Sequence, residues 1–498
     1  MWQRIKNIYH LGNAILANVW FGFPSRHLTV IGVTGTDGKT TTTSLIYHIL
    51  HTAGYNASMI SSVGAVIGGK EYDVGFHVTT PSPWQLQRFI KKAVSSSNNM
   101  FEKFGNKLHG VRHSGEEKRR LQNLSACSML QGDSGRAFLR HGSGSLARMT
   151  MLKMSYLILE TTSHALDQHR VWGIRFDIGV LTNVTHEHLD YHKTYENYVK
   201  TKEKLLEMSR VAVVNRDDKS YELVKSKVKS QKSKVQGKSK KFITYGIKEN
   251  ADVNPQKFPF KTKLIGNFNM YNVLAGIVVC RQLGVDDLII RKGILSFKPP
   301  IGREEIVYKK DFTVMVDFAH TPNAFEQILS SIKPSIKGRL IHVFGAAGQR
   351  DATKRPLMGK MSAKYSDVIV LTAEDPRSEP VGKIMSEISS GIQKSKVKSQ
   401  KYRAKVKSKD DKNIVFKISD RREAINAAIK MARRGDFVLV TGKSHEKSMN
   451  YGEGEEPWDE FGVVKESVQR CHRERTKRAW RSQRKEIASS PSSDGSSQ

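Results

Sequence analysis

One apolar stretch followed by a glycine-rich loop constrains the fold of this chain more than any other feature. Residues 28–34 read Leu-Thr-Val-Ile-Gly-Val-Thr, which is typical of a buried strand, and residues 41–52 have helical character. Between them lies the loop Gly35-Thr36-Asp37-Gly38-Lys39-Thr40-Thr41. Backbone N–H groups in such a loop wrap phosphate oxygens at the positive end of the helix dipole. The segment therefore predicts an α/β nucleotide-binding domain.

Two side chains of this loop have the chemistry that phosphate binding requires. Lys39 offers a positive charge to the β- and γ-phosphates, and Thr40 offers a hydroxyl to Mg²⁺. The spacing differs from the general GxxxxGK[ST] pattern, being shorter when counted from Gly35 and longer when counted from Gly32. A structural glycine turn is the alternative, but the strand context favours ATP binding.

Apolar stretches alternate with helical ones along the rest of the chain. Strands are predicted at 155–160, 178–181, 311–318, 341–345, 367–372 and 436–441. Such alternation is typical of α/β folds with mainly parallel sheets. The break Pro299-Pro300-Ile301-Gly302 separates two domains. We expect a central P-loop ATPase domain over 28–299 and a C-terminal Rossmann-like α/β domain over 300–470.

Much of the positive charge lies in segments of low complexity. The net charge is +34, from 82 Lys and Arg against 48 Asp and Glu, and the octapeptide Lys-Ser-Lys-Val-Lys-Ser-Gln-Lys occurs twice. Segments this polar do not pack into a core. We therefore expect insertions at about 94–150, 225–241 and 394–412, and a disordered basic, Ser-rich tail over 471–498. Because the charge lies there, no nucleic-acid partner is expected.

Composition also disfavours several kinds of protein. The three cysteines form no CxxC pair, which argues against a disulfide framework or a zinc site and favours a cytoplasmic location. The sequence contains no run of 18 apolar residues, so it predicts no transmembrane helix. Residues 1–27 are expected to form an amphipathic helical segment that packs on the first domain. A helix lying on a membrane surface is the alternative.

Glu160, His188 and Lys202 form a second candidate group. Glu160 ends a predicted strand, and His188 lies in the His-rich stretch Thr182–His192. A carboxylate and an imidazole near a phosphate site suit a divalent cation. A His-rich turn also occurs for purely structural reasons, so that alternative stays open.

Taken in order, these segments resemble the Mur ligase family, and within it the synthetases that add the third residue of the UDP-muramoyl peptide. The resemblance covers about residues 28–465 apart from the insertions. The motifs that carry it are Thr34–Thr41, Thr79–Pro81, Glu160–Leu166, Thr182–His192, Gly266–Asn272, Gly302–Glu305, Val316–Pro322, Phe344–Gly359, Glu374–Arg377 and Gly442–Glu446.

The resemblance implies an enzyme of peptidoglycan synthesis that uses ATP and Mg²⁺. It would join meso-diaminopimelate or L-lysine to UDP-N-acetylmuramoyl-L-Ala-D-Glu through an acyl phosphate. The implied catalytic residues are Lys39, Glu160, His188 and Lys202. The implied ATP contacts are Gly35, Thr36, Asp37, Gly38, Lys39, Thr40, Thr41, Asn272, Arg303 and Asp317. The implied Mg²⁺ ligands are Thr40, Glu160 and His188. Lys202 falls where the family has a carbamylated lysine, which is an anion and can accompany Mg²⁺.

The resemblance also implies two groups of substrate contacts. Residues implied to hold the UDP-muramoyl-dipeptide are Thr79, Thr80, Thr162, Gln168 and Arg170. Residues implied to hold the incoming amino acid are Arg350, Asp375, Arg377, Gly442 and Glu446. As alternatives, the first two threonines and Gln168 could be turn or cap residues, and Arg350 could form a surface ion pair.

The chain departs from the family pattern at several points. Only 27 residues precede the first predicted strand, where these synthetases usually begin with a uridine-binding domain, so a separate uridine-binding domain or protein is a candidate partner. Asp375 replaces the asparagine of Asp-Asn-Pro-Arg, and its carboxylate suits a cationic amine. Arg377 is retained and suits the extra carboxylate of diaminopimelate. Thr162 replaces a serine and Ser444 a glycine, which are mild changes.

Three alternatives to this function remain from the sequence. A folylpolyglutamate synthase also lacks a uridine-binding domain, although the Glu160–Leu166 and Asp-Pro-Arg motifs favour the muramoyl ligases. A nucleic-acid-binding P-loop NTPase would use the positive charge. An inactive relative would account for the insertions.

Overall fold

The computed structural model describes residues 2–75, 79–109, 155–230, 240–248, 250–392 and 414–488. The chain divides into two compact units. The first consists of Met1–Thr185 and His192–Pro300, and the second of His186–Tyr191 and Ile301–Gln498. The passage from the first unit to the second after Pro300 falls within the predicted Pro/Gly break.

The described residues of the first unit form eight strands and most of the helices that precede residue 300. Its strands are β1 Thr29–Thr34, β2 Asn56–Ser61, β3 Gly64–Ile67, β4 Lys70–Tyr72, β5 Ser155–Glu160, β6 Phe176–Leu181, β7 Ser209–Asn215 and β8 Lys241–Tyr245. Its helices are α1 Trp2–Phe21, α2 Lys39–Thr52, α3 Pro83–His109, α4 Ser163–Asp167, α6 Tyr195–Glu207, α7 Tyr221–Ser230, α8 Asn267–Gln282 and α9 Asp287–Ser296, and a short 3-10 helix spans Pro24–His27.

A single sheet of order β4-β3-β2-β5-β1-β6-β7-β8 forms the centre of the first unit. From β2 to β8 the neighbouring strands are parallel, while β3 and β4 form an antiparallel edge. The central strand β1 lies between β5 and β6, with Val33 opposite both Glu160 and Val180. Because the carboxyl ends of parallel strands meet at one edge, the loops after these three strands lie side by side.

Helices cover both faces of this sheet. On one face α2 and α8 pack against the strands through apolar side chains such as Ile46, Ile49 and Ile277. On the other face α3 contributes Leu86 and Phe89 to a separate core cluster. The phosphate loop and the first turn of α2 are therefore held between a buried strand and a buried helix.

The second unit is a smaller α/β structure. Its strands are β9 Glu305–Lys309, β10 Thr313–Asp317, β11 Leu340–Phe344, β12 Val368–Leu371, β13 Ile414–Lys417, β14 Phe437–Thr441, β15 Ser448–Asn450 and β16 Glu455–Pro457. Its helices are α5 Leu189–His192 (its last residue, His192, belongs to the first unit), α10 Pro322–Ile332, α11 Lys354–Tyr365, α12 Val381–Ser390, α13 Arg421–Met431 and α14 Glu460–Ala488, and a 3-10 turn spans Lys333–Ser335. The main sheet has the order β13-β12-β11-β14-β10-β9, parallel except for β9. Both sheets agree with the predicted α/β fold class.

Three segments are more helical than their composition predicts. Helix α3 continues to His109, although an insertion is expected from about 94, and the remainder of that insertion lies outside the described residues. Helix α14 continues to Ala488, so the prediction of a disordered tail from 471 is wrong as far as that residue. Lys, Arg and Glu are good helix formers, and Arg475 is held by an ion pair with Asp311 at 2.6 Å. Helix α7 continues to Ser230, although an insertion is expected from about 225, and residues 231–239 lie outside the described residues, as does the whole of 394–412.

Along the described parts of the chain, no helix is long and apolar enough to cross a membrane. This agrees with the lack of a long apolar run in the sequence.

A buried ion pair links α13 to α14 in the second unit. Arg421 and Glu460 are both fully buried, and Arg421 Nε donates to Glu460 Oε2 at 2.9 Å. The same guanidinium donates to the backbone oxygens of Ala373 and Thr441 at 3.1 and 2.8 Å. Arg421 therefore holds the ends of β12 and β14 to both helices.

We expect Arg421→Ala to lower the free energy of unfolding of the second unit by about 3–5 kcal/mol, because it leaves a buried carboxylate unpaired. Denaturant titration followed by circular dichroism measures this change. Arg422→Ala is the control, since its ion pair with Glu466 is exposed and is worth about 0–1 kcal/mol. Equal effects of the two substitutions would contradict the prediction.

Candidate functional site

The phosphate loop is held in place by the residues that follow β6. Asp37 N–H donates to Asn183 Oδ1 at 2.9 Å, and the Thr182 hydroxyl donates to the Asp37 carbonyl at 2.7 Å. Gly38 has φ +80°, and a Cβ at this position would lie 2.2 Å from Asn272 Oδ1. Only glycine satisfies both conditions, which is a physical reason for the glycine immediately before Lys39.

The predicted cation ligands Thr40 and Glu160 are in contact. Thr40 Oγ1 donates to Glu160 Oε1 at 3.2 Å and lies 3.0 Å from Ser62 Oγ. The second carboxylate oxygen, Oε2, accepts from Ser62 N–H at 3.0 Å. Hydroxyl and carboxylate oxygens are the ligands that Mg²⁺ prefers, completed by water and phosphate oxygens. The donor set therefore fits Mg²⁺, and Ser62 joins it although its own sequence context does not mark it.

Other side chains of the loop contact its own backbone and α6. Lys39 Nζ donates to the Thr36 carbonyl at 2.8 Å, and the Thr36 hydroxyl donates to Tyr198 OH at 3.3 Å. Thr41 is buried in the first turn of α2. The loop, including Gly35, thus has a compact conformation in which Lys39 lies over the backbone that would wrap a phosphate.

Lys202 contacts the loop from α6. Its side chain is buried, Nζ donates to the Gly35 carbonyl at 2.6 Å, and the same atom lies 4.5 Å from the centre of the Tyr198 ring. A carbamate on Nζ would keep one N–H for this hydrogen bond while adding an anionic group. Carbamylation stays a prediction.

The His-rich stretch divides between the two units. His188 belongs to the second unit, has φ +56°, and its carbonyl accepts from Tyr191 N–H at 3.1 Å. Glu160 and Lys202 belong to the first unit. The predicted grouping of these three side chains therefore stays a prediction.

His192 is the histidine of this stretch that the first unit contains. It lies 3.0 Å from Ser163 Oγ and stacks on Tyr198 with ring centres 4.8 Å apart. Burial, followed by the charges of His164 and Lys202, lowers the pKa of His192 to about 4. The sequence offers no signal that separates it from His186 and His188.

Four of the five residues predicted to hold the peptide substrate form one hydrogen-bond network. Thr80 Oγ1 donates to the Glu160 carbonyl at 3.0 Å and accepts from Thr162 N–H at 3.1 Å. Arg170 donates to the Thr80 carbonyl at 3.3 Å and, from Nε, to Gln168 Oε1 at 3.0 Å. The network therefore joins the end of β5 to the segment before α3.

The local surroundings of Thr162 and Thr79 also bear on their predicted role as substrate contacts. Thr162 is the N-cap of α4, where its side chain accepts from Ala165 N–H at 3.1 Å. Thr79 is half-buried and directly precedes Thr80. A cap is compatible with substrate contact, because the hydroxyl keeps a donor hydrogen.

The remaining predicted ATP contacts are distributed over both units. Asn272, in the first unit, accepts from the Thr42 hydroxyl at 3.3 Å and donates to Asn269 at 2.9 Å. In the second unit Asp317 accepts from the backbone N–H groups of Glu304 and Ala319 at 2.8 and 2.7 Å. The neighbouring Arg303 guanidinium lies 4.6 Å from the centre of the Phe318 ring. Asp317 thus positions the segment that carries Arg303.

Asp375 forms an ion pair inside the protein. Its carboxylate accepts from Lys443 Nζ at 2.8 and 2.9 Å, and from Asn450 N–H at 3.0 Å. Glu446 contacts the same ammonium at 2.7 Å. Lys443, which sequence reasoning left out, therefore provides a cation between the carboxylates of Asp375 and Glu446.

Arg350 and Arg377 follow the neighbouring strands β11 and β12. Arg377 donates to the Gly348 carbonyl at 2.5 Å. Burial, followed by the like charge of Arg350, lowers the pKa of Arg377. Within the described residues Arg350 is exposed and has no ion-pair partner, so the alternative of a surface ion pair is not realised there. Two close guanidinium groups suit a carboxylate ligand.

Glu374 is a buried carboxyl group that the sequence did not mark as a site residue. Gly442 has φ +108°, and a Cβ there would lie 2.3 Å from Glu374 Oε2, which has no hydrogen-bond partner among the described atoms. Burial raises the pKa of Glu374 to about 8, and Asp375 acts in the same direction against Arg421 and Lys354. The carboxyl group is therefore largely protonated at neutral pH.

We expect Glu374→Gln to stabilise the second unit, with a larger gain at high pH. Between pH 4.5, the ordinary pKa, and about 8 the folded unit retains a proton that the unfolded chain releases. The stability contribution of this residue therefore falls as the pH rises through that window. Denaturant titrations near pH 5 and near pH 9 measure the difference.

The exposed Glu466, exchanged for Gln, is the matched control, because it makes the same chemical change on the surface of the same unit. A gain from Glu374→Gln that is equal at both pH values would contradict the assignment of a raised pKa.

Comparison with known proteins places this geometry in context. Residues 33–102 and 143–280 match the Mur ligase middle domain, and residues 302–444 match the domain described as Mur ligase, glutamate ligase domain. The UDP-N-acetylmuramoyl-L-alanyl-D-glutamate–2,6-diaminopimelate ligase of Aquifex aeolicus is 34% identical over 468 residues, which are 90% of this chain and 79% of the relative.

Two further proteins are similar over most of their length. The corresponding ligase 1 of Clostridium acetobutylicum is 31% identical over 476 residues, 91% of this chain and 81% of the relative. The crystal structure of MurF ligase from Thermotoga maritima in complex with ADP has a TM-score of 0.55 at 16% identity, covering 93% of this chain and 84% of that one. The latter likeness concerns the fold alone.

Proposed function

This chain belongs to the Mur ligase family, and we propose that it is the ATP-dependent ligase that adds the third amino acid to UDP-N-acetylmuramoyl-L-Ala-D-Glu in peptidoglycan synthesis. The observation that carries this proposal is the identity of 31–34% with two diaminopimelate ligases over nine-tenths of the chain. The contact between Thr40 and Glu160 supports it, because it provides oxygen ligands beside the phosphate loop.

The reaction begins with phosphoryl transfer from ATP to the terminal carboxylate of the peptide. The γ-phosphoryl group forms an acyl phosphate, and ADP leaves. Lys39 and the loop N–H groups offset the negative charge that develops on the transferred group. Mg²⁺, held by Thr40 and Glu160, would add positive charge at the phosphates. We assign Lys202, as a carbamate, and His188 to the same cation chemistry.

The second step forms the amide bond. The amine of the incoming amino acid attacks the acyl carbon, the tetrahedral intermediate expels inorganic phosphate, and the amine proton is released. We assign Thr80, Thr162, Gln168 and Arg170 to the peptide substrate. Their preformed hydrogen bonds would reduce the entropy lost when the peptide is bound.

The second unit would select the incoming amino acid. Diaminopimelate carries one carboxylate more than lysine, and the pair of Arg350 and Arg377 provides the positive charge that such a group requires. Asp375 and Glu446 both pair with Lys443, at 2.8 and 2.7 Å, and with Gly442 they are the other assigned contacts. We therefore propose meso-diaminopimelate rather than L-lysine as the substrate.

We also propose that a separate uridine-binding domain or protein holds the nucleotide end of the substrate. The chain spans 79% and 81% of the two ligases described above. About a fifth of each relative lies outside the matched region.

We expect Lys39→Ala to abolish phosphate release that depends on both the peptide substrate and the amino acid. The substitution removes the only side-chain charge of the phosphate loop that can neutralise the transferred phosphoryl group. A coupled assay for inorganic phosphate measures this activity, with the exposed Lys298→Ala as the control. Phosphate release at the parental rate by Lys39→Ala would exclude the proposed role of the loop.

We expect Arg377→Ala to raise the KM for meso-diaminopimelate by about 10- to 100-fold, because a charge-assisted contact contributes about 1.5–3 kcal/mol. The KM for L-lysine should change much less. Steady-state turnover with both amino acids measures this split, and the exposed Arg434→Ala is the control. Equal changes in the KM values for both amino acids would contradict the role of Arg377.

A parallel reaction of the parent chain with a folate and glutamate tests the folylpolyglutamate alternative.

A further inference from the structure

Helix α1 presents an apolar face to solvent. Its exposed apolar side chains are Ile5, Ile8, Tyr9, Ile15, Leu16, Val19 and Trp20. At 3.6 residues per turn these positions fall within about 140° of the helix circumference and extend over about 22 Å. We call this surface the outer face of α1. Single exposed apolar residues are common, but a contiguous apolar face marks a contact surface.

The opposite side of α1 attaches the helix to the first unit. Ala14, Ala17 and Asn18 are fully buried. Asn18 Nδ2 donates to the Trp172 carbonyl at 2.7 Å, and Asn7 Nδ2 donates to Asp167 at 3.1 Å. The helix therefore does not need its outer face to stay in place, and in the part of the chain that the structure describes this face is exposed.

An aromatic and basic border adjoins the outer face. Trp84 of α3 lies 6.5 Å from Trp20 between ring centres and donates from Nε1 to Asn13 at 3.2 Å. Arg88 and Lys91 follow Trp84 at helical spacing and are exposed. Neither α1 nor residues 83–101 of α3 contain an acidic residue. The border is therefore positively charged and the face itself carries no charge.

We propose that the outer face of α1, together with Trp84, Arg88 and Lys91, binds the surface of an anionic lipid bilayer. An uncharged apolar helix face fits the boundary between headgroups and acyl chains, tryptophan is favoured at that boundary, and basic side chains attract anionic headgroups. A second copy of the chain would bring a border of the same sign on a molecule of net charge +34, which opposes self-association.

Vesicle flotation of the full chain tests this proposal. The vesicles consist of phosphatidylcholine alone or of an equal mixture of phosphatidylcholine and phosphatidylglycerol. We expect binding to the mixed vesicles that weakens as salt is added. The double variant Leu16→Glu with Val19→Glu should bind at least about tenfold more weakly, because apolar burial is lost.

The matched control is Leu288→Glu with Leu295→Glu on α9. These leucines are 73% and 47% exposed, against 61% and 62% for Leu16 and Val19, and the change in charge is the same. Both double variants should keep the parental unfolding midpoint, which shows that they fold.

Three outcomes would overturn the proposal. The first is that the parent chain does not float with the anionic vesicles, and the second is that both double variants lose binding equally. Alternatively, light scattering shows a dimer that only the α1 variant dissociates, without vesicle binding by the parent. The last result would make the outer face a self-association surface. None of these outcomes depends on the ligase assignment, because binding is measured without substrates.

Discussion

The contacts of Glu160 connect the phosphate loop of the first unit to the residues around Thr80. Its carboxylate accepts from Thr40 and from Ser62 N–H, while its backbone carbonyl accepts from Thr80. One residue at the end of β5 thus joins the phosphate loop to the hydrogen-bond network of Thr80, Thr162 and Arg170. This is possible because β5 lies directly beside β1 in a parallel sheet, so that both strands end at the same edge. A change in the register between β1 and β5 would separate the phosphate loop from the network at Thr80.

The second unit depends on burying charge in paired form. Lys443 is fully buried between Asp375 and Glu446, and Arg421 is fully buried against Glu460. Isolated charges in such places would be very unfavourable, whereas hydrogen-bonded pairs are tolerated. Asp375 therefore has a structural partner in addition to any ligand, and the exposed Arg350 is the more accessible charge for recognition.

Sequence reasoning predicted the features whose signal is local. The strand before Gly35, the loop, and the strands of the second unit follow from apolar stretches and glycine positions. The contacts of Ser62 with Glu160, and of Lys443 with Asp375, join residues 98 and 68 positions apart, and no local pattern encodes them. The helical character of α14 was missed because composition alone does not separate a charged helix from a disordered segment, and Cys471 and Arg475 hold it through contacts far along the chain.

The order of strands in the first sheet also determines when the phosphate loop can form during synthesis. Strand β1 is made early, but its neighbours β5 and β6 come from residues 155–160 and 176–181, and α8, which packs on α2, from residues 267–282. Val30, Ile31 and Val33 therefore lack both neighbouring strands until residue 181 has been made, and Ile31 and Val33 lack part of their core cluster until α8 follows. Such late pairing makes a nascent chain slow to fold and prone to aggregation.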